Sequence, residues 1–172
     1  IDDVAEKLKL MFADINVECD ISAPADVKKK VEEVKNITEE QQIVQGKLSM
    51  GFRTNVYATD EDYPAMMMYN SILGSGIFSK LFNNVREKMS LCYYASSVLY
   101  RNIGLIIANA GIDFENFKKT RDAILLQLED IKKNNFTDTE LENVKIGIVN
   151  NLKMAGDDID TFIFYTDMDY QF

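Results

Sequence analysis

The 172-residue chain has no histidine at all and only two cysteines, Cys19 and Cys92. Without imidazole there is no Ser-His or Cys-His nucleophile pair, and no nitrogen ligand of the kind that catalytic zinc requires. Two cysteines so far apart make no disulfide framework and cannot complete a zinc site by themselves. Cys92 lies in a strand-like stretch, where a small apolar side chain packs well. The expected setting is reducing and cytoplasmic. Long apolar runs are missing too: no window approaches the ~20 residues of a membrane helix, and the first residues lack the basic, apolar, small-residue order of a signal peptide. Basic residues are outnumbered, 19 to 28, giving a net charge of -9. A chain of that sign has no general means of displacing counterions from nucleic acid. Neither a membrane nor a nucleic acid is therefore an expected partner.

What is present is enough for a sizeable core, since 47% of the residues are hydrophobic. The length fits one domain, or one domain plus a fragment. The chain opens on Ile1 and closes on Phe172 inside a helix-like run, so the expectation is a piece of a longer polypeptide. Residues 1–40 read as the tail of a preceding domain and a linker, and residues 41–172 as a domain incomplete at its C-terminal end. Charge is unevenly spread: residues 1–40 and 113–172 carry -5 and -6, whereas residues 41–112 carry +2. A mildly positive middle suits an extended peptide with acidic or carboxylate groups, although a chance variation in surface charge accounts for it equally well.

Along the chain, Val4, Leu8, Met11 and Phe12 follow helical spacing, and residues 15–21 alternate as a short strand. Val27, Val31 and Val34 resume the helical period after Pro24. Residues 43–57 are the first clear strand, with Val44, Gly46, Leu48, Met50 and Phe52 on one face. The acids at 60–62 ahead of Tyr63 and Pro64 signal a helix start, with Met66, Tyr69, Asn70 and Leu73 on one side. Residues 92–101 and 103–112 form a hairpin around Asn102 and Gly104. A helix follows over 114–132, with Phe117, Ile124, Leu125, Leu128 and Ile131 inward. Thr137 and Glu140 then make a capping box for a further helix carrying Leu141, Val144, Ile148 and Leu152. Gly156 ends it, and the acids at 157–160 open a last run. Strand, helices, hairpin, helices gives an α+β class: an antiparallel-rich mixed sheet with helices packed on one face.

The chemistry concentrates in residues 74–94, GSGIFSKLFNNVREKMSLCYY. The Gly-Ser-Gly turn lacks the spacing to Lys80 of a P-loop, so it is read as a turn between helices. An amphipathic helix over 77–89 places Phe78, Leu81, Phe82, Val85 and Met89 on one face, with Arg86 beside that stripe. Ser90 and Leu91 break the period, and Tyr93 enters the next strand. Tyr93 and Tyr94 point to opposite faces, and the spacing puts Tyr93 next to Arg86. A guanidinium beside a phenol is a donor pair for peptide carbonyls or a carboxylate. On spacing alone, an ion pair of Arg86 with Glu87 or another nearby acid and ordinary strand packing of Tyr93 are the favoured reading.

The run LGSGIFSKLFNNVREKMSLCYYASS resembles the C-terminal half of the pitrilysin and mitochondrial-processing-peptidase family of zinc peptidases, the inverzincins. The family pattern of a Gly-rich turn, S-x-L-F-x-x-V-R-E-K and x-x-L-x-Y falls on Ser79, Leu81, Phe82, Val85, Arg86, Glu87, Lys88, Leu91 and Tyr93. Residues 45–54, QGKLSMGFRT, are similar to the first strand of the same half. The likeness covers roughly residues 41–160. It implies a peptidase half-domain that binds a peptide substrate. The H-x-x-E-H zinc site would stand in an N-terminal half or a partner subunit, and no cofactor in this chain. It further implies that Arg86 fixes the substrate backbone or carboxylate and that Tyr93 supports the developing oxyanion. Two other readings stand beside it: an inactive scaffold subunit of the same fold, and an α+β interaction domain unrelated to proteolysis.

Overall fold

The computed structural model describes residues 2–13, 33, 35, 37, 39 and 42–155. Its elements are α1 (Asp2–Phe12), β1 (Gly46–Arg53), α2 (Tyr63–Leu73), a π-helical segment (Leu81–Lys88), β2 (Tyr94–Tyr100), β3 (Leu105–Ile112), α3 (Phe117–Lys132) and α4 (Asp138–Ala155). A 3-10 turn over Phe114–Asn116 leads into α3. The readings made for residues 15–21, for Val27, Val31 and Val34, for Cys19 and for the run from Gly156 onward lie outside the described residues.

Two-residue alternation decides the sheet. In β1, Gly46 and Leu48 are buried and Met50 and Phe52 half-buried, while Lys47, Ser49, Gly51 and Arg53 are exposed. In β3, Ile106, Ala108, Ala110 and Ile112 are buried on the same side. The strand order is β1-β3-β2, and both pairings are antiparallel. Residues 43–45 stay outside the strand, where Val44 is fully exposed. Asn55, in the left-handed region at φ 54°, lies just beyond its other end. The hairpin turn uses Gly104 at φ 60°, a conformation that side chains rarely tolerate. Its carbonyl accepts the Thr54 N–H at 2.8 Å, tying β1 to the turn.

α2, the π-helical segment and α3 cover the buried face. Leu73, Leu81, Val85 and Ile124 are fully buried among Ile106, Ala108, Ala110 and Ile112. Each large aliphatic side chain so enclosed contributes roughly 1.5–3 kcal/mol. On α3 the buried stripe is Thr120, Ala123, Ile124, Gln127, Leu128 and Ile131. Phe117 and Leu125, expected inward, are exposed, while two polar residues, Thr120 and Gln127, lie on the inner face. Thr120 reaches the Leu91 carbonyl and Gln127 reaches Asn84, so each inner polar group has a partner. The capping box forms as expected: the Thr137 N–H donates to Glu140 Oε2 at 2.7 Å, and the Glu140 N–H to Thr137 Oγ1 at 3.1 Å.

The helix expected over 77–89 differs. Gly76 (φ 99°) keeps residues 74–79 in a turn, and the helix begins near Lys80 with π winding. The wider turns break the three- and four-residue stripe. Leu81 and Val85 stay in the core, whereas Phe78 and Met89 are exposed. Among the described residues no helix is long and apolar enough to cross a membrane.

Candidate functional site

The π-helical segment delivers Arg86 and then stops abruptly. Its last turn is closed by the Met89 N–H on the Asn84 carbonyl (3.0 Å) and the Leu91 N–H on the Val85 carbonyl (3.3 Å). Ser90, at φ 50°, turns the chain back. Tyr93 then starts the pairing with β3 through its N–H, 2.8 Å from the Gly111 carbonyl. This reversal explains why a seven-residue separation in sequence becomes a contact in space.

That contact is made through the backbone of Tyr93. Arg86 Nε donates to the Tyr93 carbonyl at 2.9 Å. Arg86 Nη1 lies 3.0 Å from Glu87 Oε1, and the guanidinium sits 4.8 Å above the Phe82 ring. Stacking and pairing leave it half-buried and directional, which suits arginine's planar fork. The Glu87 pair that spacing alone favours does form, and it forms together with the Tyr93 contact.

The phenol of Tyr93 turns elsewhere. It is 56% exposed, and its hydroxyl donates to Asp113 Oδ1 at 2.7 Å. The hydrogen bond to Asp113, and then the negative charge of that carboxylate, push the phenol above its ordinary range, so it stays a protonated donor. Tyr94 lies on the opposite face, opposite Gly111 in the register, and its ring fills the space where a side chain at Gly111 would be.

Arg86, Glu87, Ser90, Leu91, Cys92, Tyr93, Asp113 and Asn116 line one open groove of about 380 Å³. One cation and two carboxylates give it a balanced to acidic rim, unlike the positive strip inferred for the middle of the chain. Burial pushes the Cys92 thiol up against the opposing charge of Arg86, which leaves it a poor nucleophile. The groove therefore offers a phenolic oxygen whose proton is held by Asp113, carboxylate acceptors and a neutral thiol, a set suited to holding a chain by hydrogen bonds.

Sequence reasoning found Arg86 and Tyr93 but not Asp113, which stands 20 residues from Tyr93. The signal was the hairpin register: pairing Tyr94 with Gly111 brings Tyr93 level with Ile112 and next to Asp113. Among the described residues no group of three His, Cys, Asp or Glu side chains is placed to hold a metal ion. With no histidine in the chain, these residues do not fit a zinc ion.

A family model described as "Peptidase M16 inactive domain" matches residues 1–148. A Bacillus subtilis protein named "Probable inactive metalloprotease YmfF" is 39% identical over 116 residues, which are 67% of this chain and 27% of that protein. A crystal structure of a conserved protein from Enterococcus faecalis superimposes with a TM-score of 0.72 at 30% identity, over 81% of this chain and 34% of that one. A solved peptidase inactive domain from Pseudomonas fluorescens does so with a TM-score of 0.57 at 26% identity, over 63% and 27%. The chain thus spans about a quarter to a third of these relatives' lengths. The extent of the family match and the shared α+β architecture agree: the chain belongs to the M16 peptidase inactive-domain family.

Proposed function

We propose that this chain is the peptide-holding, non-metal half of a peptidase-like protein. An extended substrate would lie along the groove at Arg86 and Tyr93, and zinc chemistry would come from another domain or subunit. The observation that carries this reading is the arrangement around Tyr93. Its backbone is held by Arg86 and Gly111, while its phenol stands at an open groove. With its one proton on Asp113, the phenol presents a fixed oxygen acceptor to a peptide N–H, and it would donate to charge growing on a carbonyl oxygen only by exchanging Asp113 for the substrate. In that role Arg86 acts mainly by bracing Tyr93, because its guanidinium is already shared between a carbonyl, Glu87 and Phe82.

A second reading has its own support. The relative in Bacillus subtilis is named as probably inactive, which favours a scaffold subunit that keeps the fold and the groove without turnover.

The test uses the full-length polypeptide with any partner subunit. Peptide hydrolysis and bound zinc are measured for the parent and for Arg86→Ala and Tyr93→Phe. The peptide-holding reading expects turnover to fall by about 10²-fold in each variant. Unchanged turnover in both overturns it. A parent without zinc and without turnover supports the scaffold reading instead.

A further inference from the structure

We propose that Asp113 is a positioning residue that sets the orientation of the Tyr93 phenol at the groove. This assignment deepens the peptide-holding reading and rests on it for its purpose, but its geometry stands independently. Asp113 follows β3 directly and is the N-cap of the 3-10 turn leading into α3, with extended backbone at φ -76° and ψ 143°. An aspartate there ordinarily turns its carboxylate onto the free N–H groups of the helix start. Here it makes no such bond: the Asn116 N–H is taken by the Asp113 backbone carbonyl at 2.9 Å, and the side chain goes to Tyr93.

The diversion matters because little else restrains the ring. The Tyr93 backbone is fixed by Gly111 on one side and Arg86 on the other, yet the side chain is more than half exposed. A phenol in that position samples several rotamers unless an acceptor selects one. Asp113 is that acceptor. The one phenolic proton lies on Asp113, so what meets a bound peptide is the phenol oxygen, an acceptor held in one place. The other ionisable groups facing the groove are Arg86, Glu87 and Cys92. Arg86 and Glu87 pair with each other, so the local field on the phenol is dominated by Asp113.

The experiment follows the alkaline titration of Tyr93 by tyrosinate absorbance in the full-length polypeptide, as the difference between the parent and its Tyr93→Phe variant. The same difference is taken in the Asp113→Asn and Asp113→Ala backgrounds. Asparagine has the shape of aspartate and keeps an oxygen that can accept from Tyr93, so Asp113→Asn removes the charge while the fold is kept. The expected result is a fall in the Tyr93 titration midpoint toward the ordinary tyrosine range in Asp113→Asn, and a further fall in Asp113→Ala. A midpoint that stays put in both variants overturns the assignment. Peptide binding separates the two levels. If the midpoint moves but Tyr93→Phe binds peptide as the parent does, the peptide-holding reading fails while the Asp113 contact stands. If Tyr93→Phe weakens binding and Asp113→Ala does not, positioning by Asp113 is refuted.

Discussion

Ser97 of β2 rests directly on Gly74, at the end of α2. The Ser97 N–H donates to the Gly74 carbonyl at 3.0 Å, and its hydroxyl reaches Asn70 Oδ1 at 2.8 Å. A Cβ on Gly74 would sit 2.4 Å from the Ser97 nitrogen and 2.6 Å from its hydroxyl oxygen. The obstacle is backbone, which has no rotamer to escape into. Gly74→Ala is therefore expected to destabilise the fold by on the order of 3 kcal/mol, at the upper end of overpacking costs. Urea unfolding measures it, and a loss below about 1 kcal/mol would show that helix and strand can separate without penalty.

Lys80 makes a second checkable contact, this time electrostatic. Its side chain is 8% exposed and lies 3.6 Å from Glu140. Burial pushes the Glu140 carboxyl up, yet the Thr137 backbone N–H, the charge of Lys80 and the Thr137 hydroxyl together hold it below its ordinary value. A carboxylate lowered in the folded state contributes stability above its unfolded value and loses that contribution as pH falls through the folded one. Glu140→Gln keeps the cap geometry but strands the Lys80 ammonium. It should cost about 2 kcal/mol near neutral pH, less than a fully buried pair because Glu140 is partly solvated. The gap between the two proteins should narrow as pH drops below the carboxylate range. Unfolding curves at neutral and acidic pH decide it, and a gap that does not change with pH would remove Lys80 from the account.

Local patterns were readable where one force decided the outcome. The hairpin, the one-sided alternation of β1 and the Thr137–Glu140 cap each follow from period or side-chain chemistry. The π winding of 81–88 was not readable, because a sequence with apolar residues at 78, 81, 82, 85 and 89 fits ordinary helical turns. The wider form ends at the reversal at Ser90, directly ahead of the pairing of Tyr93 with Gly111, and neither is marked in the local pattern. The candidate site divides the same way. Arg86 and Tyr93 are linked by a short local path, whereas Asp113 joins them through strand register. Gln127 was missed for a related reason: a polar residue on an inner helix face has no signal until its partner on another element is known.

That partner is Asn84. Its side-chain amide donates to Gln127 Oε1 at 2.6 Å, and Gln127 Nε2 donates back to the Ala123 carbonyl at 3.3 Å. Gln127 is 2% exposed, so water offers little replacement. The pair ties the π-helical segment, and with it Arg86, to α3. Gln127→Met keeps length and volume but leaves the Asn84 donor unmatched in a half-buried position, for an expected cost of about 1–2 kcal/mol. Adding Asn84→Ala should then cost less than it does in the parent, because the unmatched donor is gone. The comparison is a double-mutant cycle read by urea unfolding. Additive losses would mean that the two amides do not depend on each other and that Gln127 does not help to hold the segment bearing Arg86.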